Sequence, residues 1–169
     1  MAANDDLTPE EEADLAKVLS IREARVRKVD RVKRRLEARR IDRDFPPQLS
    51  LVKADASLLE QALVNLLDNA IKFNRPSGEV RIEARCDREG PVTITVTDTG
   101  IGIASEDLSR IFERFYRVDK AHSRAVGGTG LGLSIVKHVV ERMNGKITVT
   151  SKLGKGTVFS LTVPACHVN

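Results

Sequence analysis

The chain has 169 residues, 41% of them hydrophobic, and its 28 lysines and arginines exceed its 24 aspartates and glutamates, giving a net charge of +4. A chain of that length can bury one hydrophobic core and has little sequence left for a second domain. So small a charge excess neither requires nor excludes a polyanionic partner. Cys86 and Cys166 lie far apart without metal-ligand spacing, which excludes a disulfide framework and a zinc site. Without a signal peptide or an apolar run long enough to span a bilayer, we expect a soluble, cytoplasmic domain that reaches a membrane only through sequence outside this chain.

The first forty residues predict a long, charged helix. Thr8 is a suitable N-cap, and Pro9 suits the first turn. Apolar residues then recur mostly three, four or seven apart and form one narrow stripe: Leu15, Val18, Leu19, Val26, Val29, Val32 and Leu36. We expect this rod to divide near residues 21–25 into a linker piece and a piece of the following domain.

Beyond the rod, the pattern indicates a two-layer α/β domain of the α+β class. Residues 56–73 predict a helix with Asp55 as its cap and leucines on its buried side. Period-two alternation over residues 80–86 and 92–96 predicts strands with one packed and one wet face, typical of a mostly antiparallel sheet covered by helices on one side. The remaining predicted elements are a helix at residues 131–143 and strands at 146–151 and 157–163.

Four residues of the first predicted α/β helix share the face opposite its leucines: Asn65, Asn69, Lys72 and Phe73. Asparagine is a poor helix former, so two asparagines stacked one turn apart indicate a functional face and not a merely solvated one. For Asp68, on the same helix, we expect a solvated surface position. An Asn carbonyl binds hard cations, Lys72 suits phosphate, and Phe73 can pack on an adenine face.

A second cluster, Asp98-Thr-Gly100-Ile-Gly102, follows a predicted strand. Glycines in such a turn permit positive φ and let a ligand approach the backbone closely. The Asp98 carboxylate there can accept from an exocyclic amine, in a charged hydrogen bond worth roughly 1.5 to 3 kcal/mol. We therefore expect a ligand-binding turn instead of a structural one.

A glycine-rich block, residues 127–134, runs directly into the later helix. Exposed amides at a helix N-terminus form an anion site suited to phosphates. The block lacks the Gly-Lys-Ser/Thr ending of a P-loop and the third glycine of a dinucleotide fingerprint. The polar segment between Phe115 and Gly127 has the composition of a lid over a ligand.

Together these blocks resemble the ATP-binding domains shared by sensor histidine kinases, type II topoisomerases, heat-shock protein 90 and mismatch-repair ATPases, which have the Bergerat fold. The histidine kinase branch matches best. Four boxes carry the resemblance: residues 65–73 (N box), 98–103 (first glycine box), 112–115 (F box) and 128–133 (second glycine box). The resemblance implies an ATP-binding catalytic domain at residues 25–165, after a helical extension, linker or dimerisation-helix remnant at 1–24 and before a tail at 166–169.

The resemblance also implies roles for individual residues. Asn69 would be the Mg²⁺ ligand, and Asp98 would pair with the adenine amine of ATP. The implied catalytic residues surround the phosphates: Asn65, Lys72 and Arg117. The other residues implied to contact the nucleotide are Phe73, Gly100, Gly102, Ile103, Phe112, Tyr116, Gly128, Thr129, Gly130, Leu131, Gly132, Leu133 and Thr157.

One position separates the branches of this family. ATPase members that resemble topoisomerases carry a Glu four residues before the magnesium Asn, where it acts as a general base on water. Asn65 occupies that position here and cannot take a proton, which favours a kinase. None of His122, His138 and His167 fits the phosphoacceptor box of such kinases, so we expect the acceptor on a separate dimerisation domain and a response regulator downstream.

Three alternatives stay open at this point. They are a stand-alone serine kinase of the anti-sigma-factor type or a related ATPase, a nucleotide-binding module without catalysis, and a nucleic-acid or membrane contact through the basic residues between Arg22 and Arg40. No aromatic residues are interleaved with that basic stretch, so we expect no nucleic-acid partner. We expect the isolated domain to be monomeric.

Overall fold

A computed structural model describes residues 9–37, 41–46, 52, 54–86, 90–118 and 129–165. Helix α1 (Pro9–Glu37) is 29 residues long and begins at the proline expected in its first turn. The helix is continuous across residues 21–25. The division into a linker piece and a domain piece near these residues stays a prediction. Thr8, the predicted cap, lies outside the described residues.

Helix α2 (Ala56–Lys72) forms as its sequence predicts. The Asp55 carboxylate accepts hydrogen bonds from the amides of Ser57 and Leu58 at 2.7 and 3.1 Å, so it caps two of the amides that a helix N-terminus leaves unpaired. Leu66 on the apolar face is fully buried. The opposite, polar face of α2 is therefore available for the site described below.

The sheet contains strands β1 (Ile41–Asp44), β2 (Val80–Cys86), β3 (Val92–Asp98), β4 (Lys146–Lys152) and β5 (Gly156–Val163). Their order is β1-β2-β3-β5-β4. All neighbours are antiparallel except β1, which pairs with β2 in parallel. This confirms the predicted mixed, mostly antiparallel sheet and adds the short edge strand β1, which the sequence pattern did not predict.

The core lies between this sheet and two helices, α2 and α3 (Gly132–Arg142). It is one cluster that combines residues from α2, α3 and the strands, among them the fully buried Leu66, Val80, Val136, Val140 and Leu161. A single shared cluster fits the predicted two-layer architecture. None of the described helices is both long enough and apolar enough to cross a membrane.

The β3–β5 register determines where the site lies. Asp98, the last residue of β3, is paired with Thr157 near the start of β5. The chain leaves β3 through the first glycine turn, and the second glycine block leads into α3. Packing of α2 against α3 and the sheet then brings the polar face of α2 to the same region of the fold.

Candidate functional site

A cavity of about 630 Å³ lies where these elements meet, within the size range of small-molecule sites. Its walls come from α1, the polar face of α2, the end of β3 with its glycine turn, residues 116–118, the N-terminus of α3 and the start of β5. Three of the four sequence boxes, the N box and the two glycine boxes, therefore meet around one space.

Asp98 forms a nearly buried carboxylate in this wall. Its residue is 8% exposed, and the Gly100 amide donates a hydrogen bond to Oδ1 at 2.8 Å. Burial raises the pKa of Asp98, and hydrogen bonds from the backbone of Gly100 and Thr157 partly oppose that rise. A buried carboxylate at the cavity wall is a strong acceptor for an amine of a ligand.

A hydroxyl network supports this part of the wall. The Ser151 hydroxyl accepts from the Ile103 amide at 2.9 Å, donates to the Gly156 carbonyl at 2.8 Å and lies 2.9 Å from the Thr157 hydroxyl. Gly102 has φ +70°, and a Cβ there would lie 2.1 Å from the Lys152 carbonyl oxygen. The first glycine turn thus requires glycine at this position.

The expectation that Asp68 is a solvated surface residue is wrong, because its side chain is buried. It is 3% exposed and receives the Lys72 ammonium at 2.8 Å from Oδ2. Arg31 and Arg35 of α1 approach the same carboxylate at 3.7 and 3.9 Å. Asp68 therefore holds Lys72 at the cavity wall and attracts α1 to the polar face of α2.

Asn65 is also buried, with 5% of its surface exposed. Its amide nitrogen donates to the Gln61 carbonyl at 2.9 Å, and its Oδ1 accepts from the ammonium of Lys28 on α1. Burial lowers the pKa of Lys28, although the Asp68 charge raises it. Both polar ends of the Asn65 amide are thus engaged, which holds its side chain in one orientation.

Arg117 lines the cavity and has guanidinium nitrogens without hydrogen-bond partners in the described part of the chain. Its Nε and Nη2 are buried and have no hydrogen-bond partner among the described residues. Buried guanidinium nitrogens without an acceptor are costly, so this geometry favours an anionic ligand. The arginine that resemblance places near the γ-phosphate thus lines the cavity, and its role stays a prediction.

The N-terminus of α3 forms another part of the wall. Residues 129–133 all line the cavity, and no side chain caps the helix. Free amides at a helix N-terminus favour anions. A Cβ at Gly132 would lie 3.7 Å from Asn65 Oδ1, which shows how closely this N-terminus approaches α2.

The F box contacts the second glycine block through the backbone. The Phe115 amide donates to the Gly130 carbonyl at 2.9 Å, and both residues have positive φ, 66° and 73°. Tyr116 lines the cavity while its hydroxyl donates to Asp107. Phe112 instead packs edge-on against Phe159, with ring centroids 6.5 Å apart.

The structure brings most of the predicted site residues to the cavity: Asn65, Asn69, Lys72, Phe73, Asp98, Gly102, Ile103, Tyr116, Arg117, Thr129, Gly130, Leu131, Gly132, Leu133 and Thr157. Gly100 and Phe112 support the wall without lining it, and Gly128 lies outside the described residues. Sequence reasoning missed three charged lining residues, Lys28, Arg31 and Asp68, and five apolar ones: Ile101, Ile111, Val118, Ile135 and Phe159. The spacing of Lys28, Arg31 and Arg35 on one face of α1 was a signal that could have identified that face.

The two-layer fold and this cavity define a nucleotide-binding domain. The sequence model of the family described as histidine kinase-, DNA gyrase B- and HSP90-like ATPases matches residues 54–167, and the chain belongs to that family. It is an ATP-binding domain of the histidine kinase type. The resemblance stated from the four boxes is thereby confirmed.

The comparisons also identify individual relatives. The sensor-like histidine kinase SenX3 of Mycolicibacterium smegmatis is 52% identical over 113 residues, which cover 67% of this chain and 29% of that kinase. The structure of a mycobacterial sensor histidine kinase, MprB, is 33% identical with a TM-score of 0.70 and covers 86% of this chain and 95% of that one. Full-length ShkA in complex with AMPPNP is 31% identical with a TM-score of 0.67, over 84% of this chain and 29% of that one. The chain therefore spans under a third of the SenX3 kinase that it matches.

Proposed function

We propose that this chain binds Mg²⁺-ATP in the cavity and donates the γ-phosphate to a histidine on a separate dimerisation domain, as the catalytic part of a sensor histidine kinase. The observation that carries the proposal is one cavity wall that combines a buried carboxylate, Asp98, with the cations Lys72 and Arg117. The first suits an adenine amine and the second suits phosphate.

The described residues fit a magnesium ion that takes most of its ligands from the nucleotide. In the described part of the chain, no three His, Cys, Asp or Glu side chains are arranged to hold a metal ion by themselves. Asn69 lines the cavity and offers one amide oxygen, and Mg²⁺ commonly keeps waters and binds one or two protein oxygens together with substrate phosphates. When bound, the metal neutralises charge on the phosphate oxygens.

The chain's own residues then bind and orient the phosphates. Asp68 holds Lys72 at the cavity wall, and Arg117 and the α3 amides supply further donors. In phosphoryl transfer the protein contributes mainly positioning and charge stabilisation. These residues therefore support a role in presenting the γ-phosphate to an acceptor.

The same wall favours a kinase over an ATPase. Asp68 and Asp98 are the carboxylates among the described lining residues. Asp68 pairs through Oδ2 with Lys72, its Oδ1 has no hydrogen-bond partner among the described residues, and Asp98 accepts from the Gly100 amide. Asn65 cannot accept a proton, and its amide is held by Gln61 and Lys28. The position four residues before Asn69, where ATPase members carry their Glu, therefore offers no general base for water.

We place the phosphoacceptor outside this chain. His138 is exposed on α3 and does not line the cavity, whereas His122 and His167 lie outside the described residues. The partners would be the dimerisation domain of the same kinase and a downstream response regulator. Any membrane location would come from other domains of the full protein.

A transfer assay tests this function. The chain is incubated with γ-labelled ATP and Mg²⁺, with and without a purified dimerisation domain of a sensor histidine kinase such as SenX3. We expect acid-labile, base-stable label on the acceptor domain and little free phosphate. Free phosphate released at the same rate with and without that domain would indicate an ATPase, and nucleotide binding without transfer or hydrolysis would indicate a non-catalytic module. Either result overturns the proposal.

A further inference from the structure

We propose that Lys28 of α1 is a further phosphate-binding residue, so that α1 contributes directly to the nucleotide site. This inference rests on the proposed function and adds a residue outside the four sequence boxes. It starts from the position of α1, which packs along the polar face of α2 and buries Val32 to 2% exposure. That packing brings Lys28 and Arg31 into the cavity wall.

The charges in the wall favour a polyanion. Among the described lining residues, the cations are Lys28, Arg31, Lys72 and Arg117, and the anions are Asp68 and Asp98. Asp98 is engaged by backbone amides. Four cations against two carboxylates leave a positive excess that ATP phosphates would neutralise.

Lys28 differs from the neighbouring arginines in its partners. Arg31 and Arg35 approach the Asp68 carboxylate, and their side chains are 51% and 47% exposed. Lys28 donates instead to a neutral acceptor, Asn65 Oδ1, in a partly buried position. Since a buried ammonium is most stable beside an anion, a phosphate oxygen is a better partner for Lys28 than an amide oxygen.

The contact also defines where the phosphate would lie. Asn65 is the residue that resemblance places beside the phosphates, and the first residue of α3, Gly132, faces the same Asn65 oxygen. The flexible stem of a lysine lets its ammonium turn from Asn65 to a neighbouring phosphate without moving α1. Nucleotide bound in this way would also strengthen the packing of α1 on α2.

Calorimetry with two ligands tests the inference. Lys28→Met and the control Lys33→Met, which changes an exposed lysine of the same helix, are titrated with Mg²⁺-AMPPNP and with adenosine. We expect Lys28→Met to weaken AMPPNP binding about tenfold, the loss of one charged hydrogen bond, and to leave adenosine binding within about twofold. We expect Lys33→Met to match the parent with both ligands and Lys28→Arg to retain most of the AMPPNP affinity.

Each other outcome has a defined meaning. Unchanged AMPPNP binding by Lys28→Met, or an equal loss for AMPPNP and adenosine, would reduce Lys28 to a structural support of Asn65 and overturn the inference while leaving the proposed function intact. Failure of the parent chain to bind AMPPNP would overturn the proposed function itself, and the inference with it. If Lys28→Met unfolds more readily than the parent, Lys28→Gln, which can still donate to Asn65, is tested by the same comparison.

Discussion

Asp68 provides the sharpest stability prediction, because its buried carboxylate forms an ion pair with the largely buried ammonium of Lys72. In the variant Asp68→Asn the side chain keeps its shape and loses its charge. The Asp68 side chain is 4% exposed and the Lys72 side chain 11% exposed, with 2.8 Å between Oδ2 and Nζ. Removing one partner of such a pair leaves an uncompensated buried charge and costs about 3 to 5 kcal/mol.

The contributions of the arginines are smaller. The side chains of Arg31 and Arg35 are about half exposed and lie 3.7 and 3.9 Å from the carboxylate, so each contact is worth at most about 1 kcal/mol. We therefore expect Asp68→Asn to lower the free energy of unfolding by about 3 kcal/mol, mostly through Lys72. For a domain of this size that loss lowers the melting temperature by about 6 to 12 °C.

Urea unfolding followed by far-UV circular dichroism measures this loss. The control is Asp30→Asn, which neutralises an exposed carboxylate of α1 and should change the free energy of unfolding by less than about 0.5 kcal/mol. The loss in Asp68→Asn should persist at high salt, because salt screens a buried pair weakly. A loss below about 1 kcal/mol, or one that salt abolishes, would refute the assignment of a buried ion pair.

Three further predictions concern the site. Asn69→Ala should make nucleotide affinity insensitive to Mg²⁺, measured by calorimetry with and without the metal; a surviving dependence would contradict the N-box assignment. Gly130→Ala should be more destabilising in urea than Gly154→Ala. Both glycines have positive φ, but a Cβ at Gly130 would lie 2.8 Å from the Phe115 backbone, whereas a Cβ at Gly154 would meet only Arg75 Nη2, at 4.0 Å; equal losses would contradict this. Because burial raises the pKa of Asp98, its folded form holds a proton at pH values where the unfolded form has lost it, so this group's contribution to stability falls as pH rises through that window. The stability of Asp98→Asn relative to the parent should accordingly increase between pH 4 and 7, and a flat difference would contradict the burial of that carboxylate.

Local signals made most of the fold predictable. Asp55, the leucine spacing and the alternating strands each act within a few residues, and α2, α3 and β2 to β5 formed close to their predicted bounds. Strand β1 was not predicted, because the sequence Ile41-Asp-Arg-Asp44 has three charges in four residues and no alternating pattern. It forms by pairing with β2 about forty residues later, stabilised by ion pairs such as that between Arg85 and Asp44.

The site was predictable to the extent that its residues lie in short blocks. Asp98 follows an apolar strand and Asn65 lies in a helix interior, two positions where a polar residue suggests a function. Both residues are buried in the structure. Asp68 and Lys28 could not be assigned in the same way, because their environment depends on the packing of α1 against α2. A carboxylate on a polar helix face looks solvated until a distant helix covers it.

The central claim is that this cavity binds Mg²⁺-ATP through Asp98, and one calorimetric experiment tests it most directly. The chain and its Asp98→Asn variant are titrated with AMPPNP in the presence and absence of Mg²⁺. We expect binding by the parent that depends on Mg²⁺ and that the variant weakens by about 10- to 100-fold, the equivalent of one charged hydrogen bond. Equal affinity in the two proteins, or no binding by the parent, would contradict the assignment of this cavity as the ATP site.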